Sequence, residues 1–112
     1  MNHVDPNIRV VSRVFPVDMQ QIKDADQRNV LLDKNPNRVG FIIYNASSNS
    51  VLINFGPEAA KMFQFTTQIG NETEYNYLPT VHPYRGIVTY NPQVPGNGYL
   101  MVTELQIETQ RR

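Results

Sequence analysis

The amino-acid sequence predicts an all-β fold: a single-domain β-sandwich or jelly-roll-like barrel of about seven to eight antiparallel strands with an N-terminal arm. The chain has 112 residues, which is enough for one domain with one core. Short segments of alternating apolar and polar residues recur along it, separated by clusters of Gly, Pro, Asn and Ser. No segment carries the helical period over the length that a βαβ unit needs, so the pattern favours a sandwich or barrel.

The first predicted element is an arm formed by residues 1–17, and residues 18–112 form the predicted sandwich domain. An alternating segment, Ile8–Phe15, lies between two prolines and carries apolar residues on one face and two arginines on the other. Such a segment is typical of an edge strand. It can pair with the open sheet edge of a neighbouring subunit or form the first strand of the domain's own sheet, and the sequence leaves both alternatives open.

Residues 18–33 carry mixed signals, because a possible helix cap is followed by a β-rich run. We expect a strand or one helical turn near 19–23, a polar loop through Asp24–Asp26, and a strand over 28–32.

Two β-rich runs, Val39–Asn45 and Val51–Phe55, flank a polar loop of small residues and predict a β-hairpin. In the first run both alternate sets of residues are apolar. This composition is typical of a strand covered on both faces, so we expect it at the centre of the domain.

Clean alternation over 62–69 predicts the next strand. Its inward residues are Phe63, Phe65, Thr67 and Ile69, and its outward residues are Gln64, Thr66 and Gln68. A Gly-Asn turn then predicts a second hairpin, with its other strand over 74–78. Two further strands are expected over 86–90 and 99–107, joined by a turn rich in Pro and Gly.

Charge and composition exclude several classes of function. Ten basic and ten acidic residues give a formal net charge of zero, so the chain has no basic field for binding nucleic acid. It has no cysteine, which excludes disulfides, thiolate nucleophiles and cysteine-based zinc sites. No apolar run has the length of a membrane span or a signal peptide, so we expect no membrane partner and no classical export.

No residue pattern predicts a catalytic residue, a cofactor or a metal site. Asp24 and Asp26 lack the glycine and the distant glutamate of a calcium loop. The chain has two histidines, His3 and His82, and none of its serines lies in a nucleophile elbow.

Glu104 is the acidic residue with the clearest structural constraint. It shares strand parity with apolar Leu100 and Val102, so it faces either the core or an interface and needs a basic partner. We predict a structural ion pair between Glu104 and Arg38, with Arg85 as the other candidate partner.

Six segments in the second part of the chain follow a recognisable order. They are Asn35–Ser48, Leu52–Gly56, Phe65–Thr66, Tyr75–Tyr77, Tyr84–Ile87 and Gly98–Leu105. The first contains Asn-Pro-x-Arg-x-Gly, an apolar stretch and Tyr-Asn-x-Ser-Ser, and the last ends in Val-Thr-Glu-Leu. This order resembles small β-sandwich structural proteins of tailed bacteriophages and prophages. The charged insertion at 57–61 departs from that pattern, and residues 1–34 lie outside it.

The resemblance implies a non-enzymatic virion protein, made in the host cytoplasm. Its expected role is a head decoration, head-tail connector or tail accessory subunit, with other capsid or tail proteins as partners and a homo-oligomeric state. Two alternatives remain: a carbohydrate- or receptor-binding β-sandwich, suggested by Tyr84, Tyr90 and Tyr99, and a cupin-like enzyme, which needs a histidine cluster for its metal.

The expected assembly interface follows from the arm and from the outward side of the strand over 62–69. Its residues are Ile8, Arg9, Val10, Arg13, Val14, Gln64, Thr66 and Gln68.

Overall fold

The computed structural model describes residues 8–20, 22, 27–94 and 98–109. These residues form β1 (Ile8–Asp18), β2 (Val30–Leu32), β3 (Arg38–Asn45), β4 (Val51–Phe55), β5 (Thr67–Ile69), β6 (Glu74–Tyr77), β7 (Val88–Pro92) and β8 (Tyr99–Thr109). The strands lie in two four-stranded sheets, which confirms the prediction of a single-domain all-β sandwich. No helix long and apolar enough to span a membrane occurs in this part of the chain.

The strand order is that of a jelly roll. The front sheet has the order β1-β8-β3-β6, and the back sheet has the order β2-β7-β4-β5. The chain therefore pairs β1 with β8, β2 with β7, β3 with β6 and β4 with β5, all antiparallel. This is the pattern of one long hairpin wrapped around a core.

The core lies between the two sheets, where strand alternation brings apolar side chains from both sheets together. Its fully or nearly fully buried members include Phe41, Ile43, Leu100 and Val102 from the front sheet and Val51, Ile53, Val88 and Tyr90 from the back sheet. Burying one such side chain stabilises the fold by about 1.5–3 kcal/mol. The core therefore fixes which face of β3 and β8 points inward.

Neither of the two predicted hairpins is present. β3 lies in the front sheet and β4 in the back sheet, so residues 46–50 cross between sheets. β5 and β6 likewise belong to opposite sheets. The predictions were wrong because two alternating runs with a short polar loop between them fit a sheet-to-sheet crossing as well as a hairpin.

Asn45 joins these two crossings at one end of the sandwich. Its backbone N–H donates to the Thr73 carbonyl at 2.9 Å, and its carbonyl accepts from the Glu72 N–H at 2.8 Å. Its side-chain Nδ2 donates to the carbonyls of Ile69 and Gly70 at 3.0 and 3.1 Å. One buried side chain thus fixes the end of β3 against the end of β5.

The same side chain also orders its own crossing. Nδ2 of Asn45 donates to the Asn49 carbonyl at 2.8 Å, and Oδ1 accepts from the Ser47 N–H and hydroxyl at 3.0 and 2.6 Å. Asn45-Ala46-Ser47 matches the N-glycosylation sequence, but the Asn45 side chain is buried and fully hydrogen-bonded. A glycan cannot be attached there in the folded chain.

The predicted strand over 62–69 is shorter in the structure, because only Thr67–Ile69 pairs with β4. Lys61 and Gln64 exchange two backbone hydrogen bonds, of 3.1 and 2.8 Å, and form a tight turn. Phe63 lies in this turn with φ of 69° and is 98% exposed, so its predicted inward position was wrong. Phe65, also predicted inward, is 37% exposed.

The turn arises because the chain before it is held on the outer side of the back sheet. The Glu58 carbonyl accepts from the Thr89 hydroxyl at 2.6 Å, and the Ala60 carbonyl accepts from Asn91 Nδ2 at 2.7 Å. These buried polar side chains need partners, and residues 58–60 provide them. The chain must then reverse before it can pair as β5.

β1 pairs with β8 of the same chain at eleven consecutive positions, from Ile8 opposite Thr109 to Asp18 opposite Tyr99. The described part of the predicted arm is therefore a strand of the domain's own sheet, which is one of the two alternatives that the sequence left open. Residues 1–7 and the predicted polar loop at Asp24–Asp26 lie outside the described residues.

Candidate assembly surface

The structure brings Arg38 and Glu104 together in the interior. Arg38 Nε donates to Glu104 Oε2 at 2.9 Å, and Arg13 donates to Glu104 Oε1 at 2.8 Å. Arg38 is fully buried and Glu104 is 2% exposed. Both carboxylate oxygens of Glu104 are bonded to guanidinium groups, so this cluster joins β1, β3 and β8.

Arg38 also closes one end of the sandwich. Its terminal nitrogens donate to the Gly86 carbonyl at 2.8 Å, to the Tyr84 carbonyl at 3.3 Å and to the Asp33 carbonyl. Arg85, the other predicted partner of Glu104, instead donates to the Arg38 carbonyl at 2.8 Å. Arg38 therefore fixes the segments before β3 and before β7 to the front sheet.

The Glu104 cluster makes a pH-dependent contribution to stability. Burial acts to raise the pKa of Glu104, but the hydrogen bonds from Arg13 and Arg38 and the charge of Arg38 hold this pKa below the ordinary value of 4.5. Because the pKa is lower in the folded chain than in the unfolded chain, the stabilisation is present above pH 4.5. It is lost as the pH falls through the folded-state pKa.

Urea unfolding of the wild type and of Glu104→Gln, measured between pH 7 and about pH 2, tests this contribution. The difference in the free energy of unfolding between the two proteins should be largest near pH 7 and should shrink in acid. A difference that is constant with pH would mean that Glu104 does not titrate with a lowered pKa.

No cluster of three or more His, Cys, Asp or Glu side chains that could hold a metal ion occurs among the described residues. His82 is exposed in the loop between β6 and β7. His3, Asp24 and Asp26 lie outside the described residues.

The three tyrosines that suggested a carbohydrate site do not share a groove. Tyr84 is partly buried and stacks on Phe55 beside the core, with ring centroids 5.2 Å apart. Tyr90 is 6% exposed and belongs to the core, whereas Tyr99 is 47% exposed at the start of β8. Carbohydrate binding needs several exposed rings in one place, which these three residues do not provide.

The outer side of the front sheet, hereafter the front face, is apolar. Strand register places one set of residues on it: Val10, Ser12, Val14 and Pro16 of β1, Tyr99, Met101, Thr103, Leu105 and Ile107 of β8, and Ile42 and Tyr44 of β3. Glu74 and Asn76 of β6 lie at its margin. Val10 and Val14 are 60% and 59% exposed.

The size and charge of the front face are those of a contact surface. With strands ~4.8 Å apart and a rise of ~3.4 Å per residue, four strands of about seven residues on average cover an area on the order of 450 Å². Among the described residues, the charged side chains on this face are Asp18 and Glu74, both at its periphery. Apolar patches of a few hundred Å² on a soluble protein mark interaction sites.

The predicted interface residues are divided between two parts of the molecule. Val10 and Val14 lie on the front face, and the side chain of Ile8 lies outside what the structure describes. Arg9 and Arg13 have the opposite parity and form ion pairs with Glu108 and Glu104 at 3.0 and 2.8 Å.

The other three predicted residues, Gln64, Thr66 and Gln68, lie on the back sheet or its connecting loop and are exposed. Thr66 uses its hydroxyl to accept from the Phe55 N–H at 2.8 Å, and Gln68 contacts Gln93 at 3.3 Å. The structure does not join them to the β1 residues in one surface.

Sequence reasoning missed the contributions of β3 and β8 to the front face. The signal was present in β3, where both alternate sets are apolar. We interpreted it as a strand covered on both faces, but Tyr44 is 38% exposed and Ile42 is only half-buried. Within the described chain, β3 is thus covered on its inner face alone.

The turn at Lys61–Gln64 presents a second exposed apolar group, Met62 and Phe63. A non-glycine residue with φ near +69° is strained by roughly 1–2 kcal/mol. Since the ring of Phe63 is 98% exposed, packing within the chain does not compensate for this strain.

Phe63→Asn should therefore raise the free energy of unfolding by about 0.5–1 kcal/mol, because asparagine tolerates the left-handed conformation. Chemical denaturation measures the change. The matched control is Met62→Asn, at the neighbouring position of the turn, for which we expect no gain in the free energy of unfolding. A loss of stability in Phe63→Asn would show that the ring packs against the fold.

Comparison of the chain with protein-family models, with curated proteins and with solved structures finds no match. The functional proposal therefore rests on the geometry of the described residues and on the sequence pattern of residues 35–105.

Proposed function

We propose that this chain is a non-enzymatic structural subunit of a bacteriophage virion and that it acts through protein–protein contacts made by its front face. In this proposal it is made in the host cytoplasm and is incorporated into the head, the neck or the tail as a homo-oligomer. The apolar front face, which no other described part of the chain covers, supports the contact role, and the resemblance of residues 35–105 to structural proteins of tailed phages supports the virion assignment.

The jelly-roll architecture is compatible with three of the functions considered above, because it occurs in viral capsid domains, lectins and cupins. Fold alone does not choose among them. A cupin-like metal site needs a histidine cluster, and the chain has two histidines. A lectin-like site needs grouped exposed aromatic rings, and the three candidate tyrosines lie apart. A contact surface remains as the function that the residues favour.

The two outer faces of the sandwich differ in a way that supports this choice. On the back sheet, Thr89 and Asn91 are fully buried beneath residues 58–60 and bonded to them. On the front sheet, Val10 and Val14 remain more than half exposed. The chain thus covers the outer face of the back sheet, including apolar Leu52, with its own loop and leaves the apolar front face bare, as expected for a surface that a partner covers.

Thr103→Lys tests this assignment, because Thr103 lies at the centre of the front face between Val14 and Ile42. A lysine there adds a charge that costs little in water and much in a dry interface. Gln68→Lys, on the exposed outer side of the back sheet, is the matched control and also tests the surface predicted from 62–69.

The purified proteins are added to particles of the encoding phage that were assembled without this chain, and the bound fraction is measured by sedimentation. We expect the wild type and Gln68→Lys to sediment with the particles and Thr103→Lys to stay in solution. Equal binding by all three would reject the front face, and no binding by the wild type would reject the virion role.

A further inference from the structure

The sandwich has four edge strands, and one of them differs from the rest. β2 and β5 have three residues each and β6 has four, and β2 also has a register shift against β7. β1 has eleven residues and pairs with β8 without any shift. Short or irregular edges resist unwanted pairing, whereas a long regular edge is a template for another strand.

The usual protection of a long edge is weak in β1. Its two basic side chains, Arg9 and Arg13, form ion pairs with Glu108 and Glu104 of β8, so they oppose a neighbouring strand only in registers that place arginines opposite each other. Neither lysine nor a bulge occurs in β1, and no strand among the described residues pairs with its open edge. The remaining obstacle is Pro16, near the end of the strand.

Pro16 also indicates which backbone groups of β1 face the open edge of the sheet. Because proline has no N–H, within a sheet it takes a position at which the N–H would point away from its neighbouring strand. The N–H and C=O groups of Val10, Ser12 and Val14 have the same parity and therefore point to the open edge as well.

We propose that the β1 strands of two copies of this chain pair antiparallel about a two-fold axis at Ser12. The proposal names the partner of the assembly and so rests on the proposed function in one respect, that the chain acts by association. Two-fold pairing is the commonest symmetry of homo-oligomers, and it requires an edge whose sequence is compatible with itself.

The distribution of charge along β1 favours this register over the two adjacent ones. An axis at Val11 places Arg9 opposite Arg13 of the second copy, and an axis at Arg13 places the two arginines opposite each other. Like charges directly opposite each other destabilise an antiparallel pair. An axis at Ser12 instead places Arg13 opposite Val11 and Val10 opposite Val14.

The missing N–H of Pro16 excludes the register whose two-fold axis lies at Val14. An axis at Val14 places Ser12 opposite Pro16, where the missing N–H removes a hydrogen bond from the middle of the new ladder. With the axis at Ser12, Pro16 lies opposite Ile8 at the end of the ladder. The resulting eight-stranded sheet joins two front faces into one apolar surface of roughly 900 Å².

The absence of cysteine makes a cross-linking test direct. In the proposed dimer the two Ser12 Cα atoms are about 5.5 Å apart, which is within the range for a disulfide. The two Thr103 residues are separated by three strand spacings, roughly 14 Å, across the strands and by four residues, also roughly 14 Å, along them, which is too far. Thr103→Cys would cross-link only if the two front faces packed against each other.

Ser12→Cys, Thr103→Cys and Gln68→Cys are oxidised separately, and the covalent dimer is measured by non-reducing electrophoresis. Gln68→Cys, which is exposed on the back sheet, measures random collision. We expect Ser12→Cys to form a dimer at least ten times faster than the other two variants, and reductant to reverse it.

Preferential cross-linking of Thr103→Cys would overturn edge pairing in favour of face-to-face packing. If Ser12→Cys reacts no faster than Gln68→Cys while the chain is oligomeric by light scattering, edge pairing is overturned and the proposed function stands. If it reacts no faster and the chain is also monomeric, edge pairing is overturned together with the homo-oligomeric state of the proposed function, and binding of the wild type to particles decides the virion role.

Discussion

Arg38→Ala should lower the free energy of unfolding by about 3–5 kcal/mol, the cost of removing one partner from a buried ion pair. The substitution leaves Glu104 buried, with Arg13 as its remaining basic contact among the described residues. It also removes the donor to the carbonyls of Gly86, Tyr84 and Asp33. Unfolding by urea, followed by circular dichroism, measures the loss.

Arg9→Ala provides the control for this prediction. Arg9 and Glu108 form an ion pair of similar length, 3.0 Å, but their side chains are 55% and 45% exposed. An exposed pair contributes about 0–1 kcal/mol, so we expect Arg9→Ala to change stability by less than about 1 kcal/mol. If Arg38→Ala were as mild as Arg9→Ala, the buried cluster would not hold the end of the sandwich.

Asn45→Ala should cost about 2–4 kcal/mol. Its side-chain amide donates to three carbonyls, those of Asn49, Ile69 and Gly70. A buried polar group left without a partner costs about 1–3 kcal/mol, and alanine leaves more than one. The two sheet crossings would also lose the side chain that joins them.

Two further variants make the measurement specific. Asn45→Asp keeps the size of the side chain but replaces the donor with an acceptor facing three carbonyl oxygens, so it should destabilise at least as much as alanine near pH 7. Asn71→Ala alters an exposed asparagine of the neighbouring turn and should change stability by less than about 0.5 kcal/mol. Similar stability of Asn45→Ala and Asn71→Ala would refute the role of Asn45.

The sequence was sufficient for the all-β class and for the approximate position of most strands, because both depend on local alternation and on turn residues. It was insufficient for the pairing of consecutive strands. The decisive contact, from Asn45 to the Ile69 and Gly70 carbonyls, joins residues 24 and 25 positions apart. Nothing local to β3 and β4 distinguishes a crossing held in this way from a hairpin.

The ion pair of Arg38 and Glu104 was within reach of the sequence, because an acidic residue at an apolar parity position needs a cation. The participation of Arg13 was not, since it depends on the register of β1 against β8. The prediction of a strand over 62–69 was wrong for a similar reason. Its alternation is genuine, but bonds from Thr89 and Asn91 hold the preceding loop and force a turn at Phe63.

The front face follows from combining both kinds of information. The sequence showed that β3 is apolar on both sides, and the structure shows that the chain covers one of them. A two-sided apolar strand in a sheet with one bare face predicts that another protein covers the other side. This inference depends on the exposure of residues such as Val14 and Tyr44, which the sequence alone does not reveal.

Static light scattering of the wild-type protein over a range of concentrations tests the central claim most directly, since that claim is association of this chain with further copies. One chain has a mass of 12.9 kDa. Our account predicts at least twice this mass at micromolar concentration, and Thr103→Lys should keep the two-chain mass because pairing of the β1 edges does not involve the front face. A mass of 12.9 kDa for the wild type at every concentration would contradict it.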